Sequence, residues 1–258
     1  MPTSDPPQLL VPRPAVGRIF TAQRRVRLGD VTPSGRLRVD AVARYLQDIA
    51  RDDSADSGLP NPMAWVVRRT VIEVRSSPVF QEQVELATWC SGVGGRWAER
   101  RTSIAGDHGG LVETATIWVH VDPDTGRPAR LGPEFAALYA ETAAGRKVDA
   151  RLGHDVEPPS AAVRRRWSWR ATDFDVLAHV NNAAYAATVE EALAIEVASP
   201  SIDGCRIELE YRDPALLGST AVWAVAPNGD GFGLWLIADE RLAFTARVAG
   251  AGGVPSGA

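Results

Sequence analysis

Hydrophobic and polar positions along the chain follow two periods. In "RVDAVARYLQDIARDDSADSG" (38–58), Val39, Val42, Leu46 and Ile49 recur at spacings of three and four. That is the stripe of an amphipathic helix, and Gly58 and Pro60 stop it. The preceding run "IFTAQRRVRLG" (19–29) is rich in β-formers with partial alternation. Four strand-like runs come after the helix: "WVVRRTVIEVRSS", "QVELATWCSGVG", "RWAERRTSIAG" and "VETATIWVHVD". Turn residues separate them at the spacing of a meander. A short helix is expected over 132–146, and the polar, proline-containing stretch 147–162 reads as a linker.

The order then starts again. "VRRRWSWRA" predicts a strand, residues 182–197 a helix, and "CRIELEYRD", "STAVWAVAP", "FGLWLIAD" and "LAFTARVAG" four more strands. At one common shift Asp30 falls on Asp173 and Gln47 on Glu190, and at another Pro78 of "IEVRSSP" falls on Pro214 of "ELEYRDP". The chain is therefore read as a duplication of an α+β unit: one strand, one long helix, four strands. Such a unit builds an antiparallel sheet that wraps a central helix, here a tandem (double) hotdog. The second helix suits that packing. Ala183, Ala184, Ala186 and Ala187 let a sheet approach, while Tyr185, Val189 and Leu193 supply bulk. The expected boundaries are a flexible arm 1–16, an N-terminal hotdog 17–146, a linker 147–162, a C-terminal hotdog 163–250 and a flexible tail 251–258.

Composition narrows the function without naming it. A formal net charge of −4 offers no strong basic field for nucleic acid. No run approaches the roughly 20 apolar residues of a membrane span, and the first residues do not read as a secretory signal. A cytoplasmic protein is expected, with Cys90 and Cys205 as buried thiols. His108, His120 and His154 show no metal-ligand spacing, so neither metal nor cofactor is expected. Neither a nucleophile elbow nor a phosphate-binding glycine loop is present.

The chemistry concentrates in "FDVLAHVNNAAYAATVEEAL" (174–193). Asn182 sits where a helix N-cap belongs. A helix start offers unpaired N–H groups and partial positive charge, which suit an oxyanion. Asp175 and His179 lie in the loop before it; a carboxylate can activate water and an imidazole can move protons near neutral pH. Asn181 and Asn182 are assigned to ordering the loop and the oxyanion site. Glu190 and Glu191 are competing acids, and their adjacency on a helix, about 100° apart, lets only one face a common site. The first half lacks this constellation: Asp30, Thr32 and Arg36 stand where the second has Asp173, Asp175 and His179.

"DFDVLAHVNNAAYAATVEE" resembles the D-x-D-x-x-x-H-V-N-N-x-x-Y segment of hotdog thioesterases, most closely the acyl-acyl carrier protein thioesterases of plant plastids and bacteria. "LEYR" (209–212), "WVVRRTVIEVRSSPVFQEQVELATW" (65–89) and "YLQDIARDDSADSGL" (45–59) resemble further segments of that family, so the similarity runs over roughly residues 20–226. The resemblance implies hydrolysis of fatty acyl thioesters, on acyl carrier protein or coenzyme A, with Asp175 and His179 catalytic and Glu191 matching a family glutamate. It implies that the N-terminal half shapes the acyl pocket, with Val42, Leu46 and Ile49 as pocket or plain core residues. Three positions depart from the family. Leu177 replaces an expected asparagine, and Pro214 and Ala215 stand where a late acid or cysteine is expected, with Asp213 one place early. These departures keep a non-catalytic acyl-binding or regulatory protein open, and a hotdog hydratase or dehydratase is a third reading. Arginine clusters at 24–25, 68–69, 100–101 and 164–166 are candidates for docking an acidic carrier. Both monomer and homodimer are compatible with a duplicated chain.

Overall fold

The computed structural model describes residues 10–59, 65–196 and 201–250. The tail 251–258, the first nine residues of the expected arm, Pro60 and the expected helix end at 197 lie outside them. The first half comprises β1 (Phe20–Arg25), α1 (Val39–Ser57), β2 (Trp65–Ser76), β3 (Gln83–Val93), β4 (Trp97–Gly106), β5 (Leu111–His120) and α2 (Pro133–Ala143). The second comprises β6 (Val163–Trp167), α3 (Asn182–Glu196), β7 (Arg206–Tyr211), β8 (Ala221–Asn228), β9 (Gly231–Ala238) and β10 (Arg241–Ala249).

All ten strands form one antiparallel sheet in the order β1-β3-β4-β5-β2-β7-β10-β9-β8-β6. Taken outward from the central β2–β7 pair, the two halves have the same order. This is the tandem hotdog expected from the chain. The β2–β7 ladder, in which Ile72 faces Ile207, fuses the halves. On the inner face α1 and α3 pack against each other and against the strands. Val42, Leu46 and Ile49 of α1 share one core with Val189 and Leu193 of α3 and with Ile72, Ile104, Leu209, Leu234 and Phe244 of the sheet. Each such side chain removed from water contributes about 1.5–3 kcal/mol. Ala183, Ala186 and Ala192 are at most 5% exposed, where larger residues would hold the sheet off.

The loops entering α1 and α3 repeat bond for bond. Each opens with a single 3₁₀ turn, Leu28–Asp30 and Ala171–Asp173, whose aspartate accepts from the amide of an arginine, Arg27 or Arg170. Thr32 N–H donates to the Arg36 carbonyl as Asp175 N–H donates to that of His179. Arg38 N–H reaches the Asp30 carbonyl as Asn181 N–H reaches that of Asp173.

Residues 11–18 and the stretch 147–162 are both bonded to the rest of the fold. Arg101 donates to the Val11 carbonyl, Arg13 pairs with Glu85, and Arg18 donates to Asp53. Residues 147–162 run across the sheet: Arg69 bonds the carbonyls of Asp149 and Arg151, and Gly153 N–H donates to Glu210. Buried strand polar groups need partners, and these segments supply them.

Candidate active site

A cavity of about 520 Å³ lies where α1, α2 and the loop before α3 meet. One end is formed by Asp175, Leu177, Asn181 and Asn182, and Gln47 of α1 is also a lining residue. Its other end is lined by Trp65, Trp118, Phe135, Cys90 and Ala98. A polar mouth leading into an aromatic and aliphatic interior suits a ligand with one reactive polar group and an apolar tail.

The α1 residues at the cavity are Gln47, Ala50, Arg51 and Ser54, also at helical spacing but displaced from the apolar stripe. Val42, Leu46 and Ile49 do not line it. They are 2%, 6% and 1% exposed in the core, because a central helix turns its most apolar stripe to the sheet and to its partner helix. Of the two readings, pocket or plain core, these three take the core one, and the cavity lies against the neighbouring face of α1.

At α3 the cap is Asn181, one residue earlier than expected. Its Oδ1 accepts from Ala183 N–H at 2.9 Å, and its carbonyl accepts from Ala184 N–H. Asn182 is then the first helical residue. Among the described residues nothing accepts from its N–H, which belongs to a helix start at the cavity wall. Asp175 Oδ1 accepts from Leu177 N–H at 2.9 Å, an Asx turn that fixes the carboxylate at the cavity. Ala178 comes next with φ +57°, the left-handed conformation in which the repeat has Gly35 at φ +86°. His179 is half-buried in the same loop and bridges by its backbone to Leu216, but it is not a lining residue. Glu191 is exposed on the outer side of α3, and the structure does not bring it to this group.

At 214–215, where the resemblance implies a late acid or cysteine, the chain places backbone structure. Ala215 is buried, and its N–H donates to the Tyr185 hydroxyl oxygen at 2.8 Å. Tyr185 of the H-V-N-N-x-x-Y run thus braces the loop after β7 against α3. Burial pushes its hydroxyl up to about 12, so it stays protonated. Leu177 sits on the rim, 55% exposed beside Val176 at 91%.

An ion cluster closes the apolar end. Asp53, 1% exposed, accepts from Arg18 Nε at 2.9 Å, Arg100 Nη1 at 2.6 Å and the Tyr139 hydroxyl at 2.8 Å. Burial pushes the Cys90 thiol up to about 11, which makes it a packing residue rather than a nucleophile. Arg100 and Arg101 are internally paired, with Asp53 and Glu113, and so leave the set of docking candidates; residues 164–166 remain exposed on edge strand β6. Sequence reasoning missed Gln47, Trp65, Trp118 and α2 as cavity walls. The i, i+3, i+4, i+7 spacing of 47, 50, 51 and 54 was the available signal for α1.

The acyl-ACP thioesterase N-terminal domain model matches residues 17–139, and the C-terminal domain model matches 156–230. An uncharacterised protein of Mycobacterium tuberculosis is 31% identical, over 81% of this chain and 83% of its own length. A chloroplastic acyl-[acyl-carrier-protein] hydrolase of Cuphea viscosissima is 25% identical over 84% of this chain and 58% of that one. Among solved structures, an acyl-ACP thioesterase from Bacteroides thetaiotaomicron superposes with a TM-score of 0.74 at 18% identity, covering 90% of this chain and 97% of that one. The 12:0-ACP thioesterase from Umbellularia californica gives 0.72 at 19%, covering 90% and 96%. At these identities the solved structures speak for the fold.

Proposed function

This chain belongs to the acyl-acyl carrier protein thioesterase family, and from that premise we propose that it hydrolyses fatty acyl thioesters presented on acyl carrier protein. The observation that carries the reading is the presence, at one cavity, of the Asp175 carboxylate and of a helix start whose Asn182 N–H has no acceptor among the described residues.

In this mechanism the acyl chain lies along Trp65, Trp118 and Phe135, and the thioester carbonyl sits at the start of α3. Asp175 takes a proton from a water molecule as its oxygen attacks the carbonyl carbon. The negative charge that develops on the carbonyl oxygen is held by Asn182 N–H and by the partial positive charge of the helix start. Collapse of the tetrahedral intermediate breaks the carbon–sulfur bond. Asp175 returns the proton it took from the water to the departing sulfur, leaving a free fatty acid and the carrier thiol. Leu177 leaves this scheme without the family's asparagine, so Asp175 carries the base role.

The test is thiol release from matched acyl carrier protein and coenzyme A thioesters by the wild-type chain, Asp175→Ala and His179→Ala, with folding checked by thermal melt. The expected result is turnover by the wild type and a loss of about a hundredfold or more in folded Asp175→Ala. Tight binding with no turnover by the wild type would transfer the site to the acyl-binding reading, and faster turnover of the coenzyme A esters would reassign the carrier.

A further inference from the structure

The repeat supplies an internal reference for the cavity's polar end. At the start of α1 the helix amide is satisfied from across the helix pair. Glu190 of α3 accepts from Val39 N–H at 2.6 Å and pairs with Arg36 through both carboxylate oxygens, each at 2.9 Å. The backbone bonds shared by the two entry loops make Val39 the counterpart of Asn182 and Arg36 that of His179, and the same register makes Gln47 of α1 the counterpart of Glu190. By that register Gln47 stands on α1 at the level from which Glu190 of α3 reaches the start of α1.

Chemistry differs at that one position. A carboxylate is an acceptor, and at α1 it fills the helix end from within. An amide has two N–H donors. Gln47 and Asn182 line the same cavity, and both carry N–H donors. Building on the hydrolase reading, we infer that the Gln47 side-chain amide is the second donor to the thioester oxyanion, contributed by the N-terminal half to a site otherwise built by the C-terminal half. Its Nε2–H and Asn182 N–H bind the carbonyl oxygen as charge develops there. The duplicated chain then requires both halves for one site, and the Glu190 counterpart explains why the other helix start holds no second one.

Two near-isosteric variants test this. Gln47→Met keeps the shape and removes the donor. Gln47→Glu puts an acceptor carboxylate where it can take Asn182 N–H as Glu190 takes Val39 N–H. Steady-state hydrolysis is measured with the wild type alongside, and each variant is checked by thermal melt. The expected result for Gln47→Met is a kcat lower by about 10²–10³ with KM changed by no more than a few-fold, the pattern of a group that acts on the oxyanion. For Gln47→Glu the loss is at least as large while the melting temperature holds or rises, because the introduced carboxylate closes the site from within. A merely structural Gln47 would instead lower the melting temperature and leave kcat per folded enzyme unchanged. An active wild type with both variants folded and within about threefold of it in kcat overturns this inference alone; a wild type that cleaves no thioester removes the hydrolase reading and the inference with it.

Discussion

The two halves of the chain enter their central helices by the same loop, but among the described residues the start of α3 lines a cavity while that of α1 is closed by side chains. At α1 the start is closed: Arg36 and Glu190, with side chains 10% and 11% exposed, form a bidentate pair, and Glu190 takes the Val39 amide. At α3 the corresponding amide of Asn182 has no acceptor among the described residues and lies beside Asp175. The loops are also anchored differently. Asp30 is tied to α1 by the Tyr45 hydroxyl at 2.8 Å and by Arg44 at 3.1 Å. In the repeat those helix positions are Thr188 and Ala187, and Thr188 bonds within its own helix, to the Tyr185 carbonyl. One helix start is thus filled by the fold's own side chains, and the other is not. Where polar groups are satisfied internally the unit is structural; where they are left unpaired at a cavity it is available for chemistry.

The largest effect on stability is expected from opening the closed side. Glu190→Ala leaves the Arg36 guanidinium without its buried carboxylate, and breaking such a pair from one side costs about 3–5 kcal/mol. For a chain of this length that corresponds to a fall in melting temperature on the order of 10 °C. Replacing both partners with apolar residues, Arg36→Met with Glu190→Leu, should recover most of the loss, since no charge is then stranded. Thermal melts of the single and double variants measure this. A single variant that melts with the wild type would mean that the pair does not hold the closed side.

How much of this was legible in the chain depends on which physical signal was being read. The strands, the two long helices and the restart were written in local periodicity, and the observed α1 and α3 begin within a residue of the expected starts. Asp30/Asp173 and Gln47/Glu190 were visible as aligned pairs, because a repeat preserves spacing. What Glu190 touches was not, since it reaches a helix start in the other half, and no local pattern records that. Val42, Leu46 and Ile49 illustrate the same gap: hydrophobic spacing marks what is buried, but the cavity lies against the neighbouring stripe. The shift of the cap from Asn182 to Asn181 is the ordinary one-residue uncertainty of a helix end, resolved only by seeing which side chain meets Ala183 N–H.

A middle-sized effect separates the two anchored loops by pH. Burial alone would raise the Asp30 carboxyl, but the Arg27 amide, the Tyr45 hydroxyl and Arg44 together hold it below the ordinary carboxylate range. A carboxyl lowered on folding contributes stability above its unfolded pKa, and the contribution is lost as pH falls through the folded value. Tyr45→Phe removes one of the three donors. A hydrogen bond to a charged group is worth about 1.5–3 kcal/mol, so the variant should be less stable near neutral pH by that order. The difference should narrow as the solution is acidified below the ordinary carboxylate range, where Asp30 becomes protonated in both proteins. Melts of the two proteins across that range check the sign: a gap that widens on acidification would mean that Tyr45 does not act through the Asp30 carboxylate.

The smallest effect lies at the residue where the two loops take the same turn with different side chains. Gly35 and Ala178 both have positive φ, +86° and +57°. For an L-residue with a Cβ, the left-handed conformation costs roughly 1–2 kcal/mol, whereas glycine adopts it freely. Gly35 has open space around its Cβ position, so Gly35→Ala meets no clash and exposes the backbone cost alone. It should destabilise the closed half by about 1 kcal/mol. Ala178→Gly runs the other way in the folded state, but the unfolded chain gains freedom, so its net stabilisation should stay below about 1 kcal/mol. The two substitutions should differ most in their effect on activity. Ala178 stands between Asp175 and His179, and a side chain held in a strained turn limits the conformations open to the carboxylate's loop. Ala178→Gly should therefore leave the melting temperature level or slightly higher while lowering kcat a few-fold, and Gly35→Ala should lower the melting temperature with kcat unchanged. If both substitutions moved stability alone, the open loop would be as passive as the closed one, and the asymmetry would reside entirely in the helix starts.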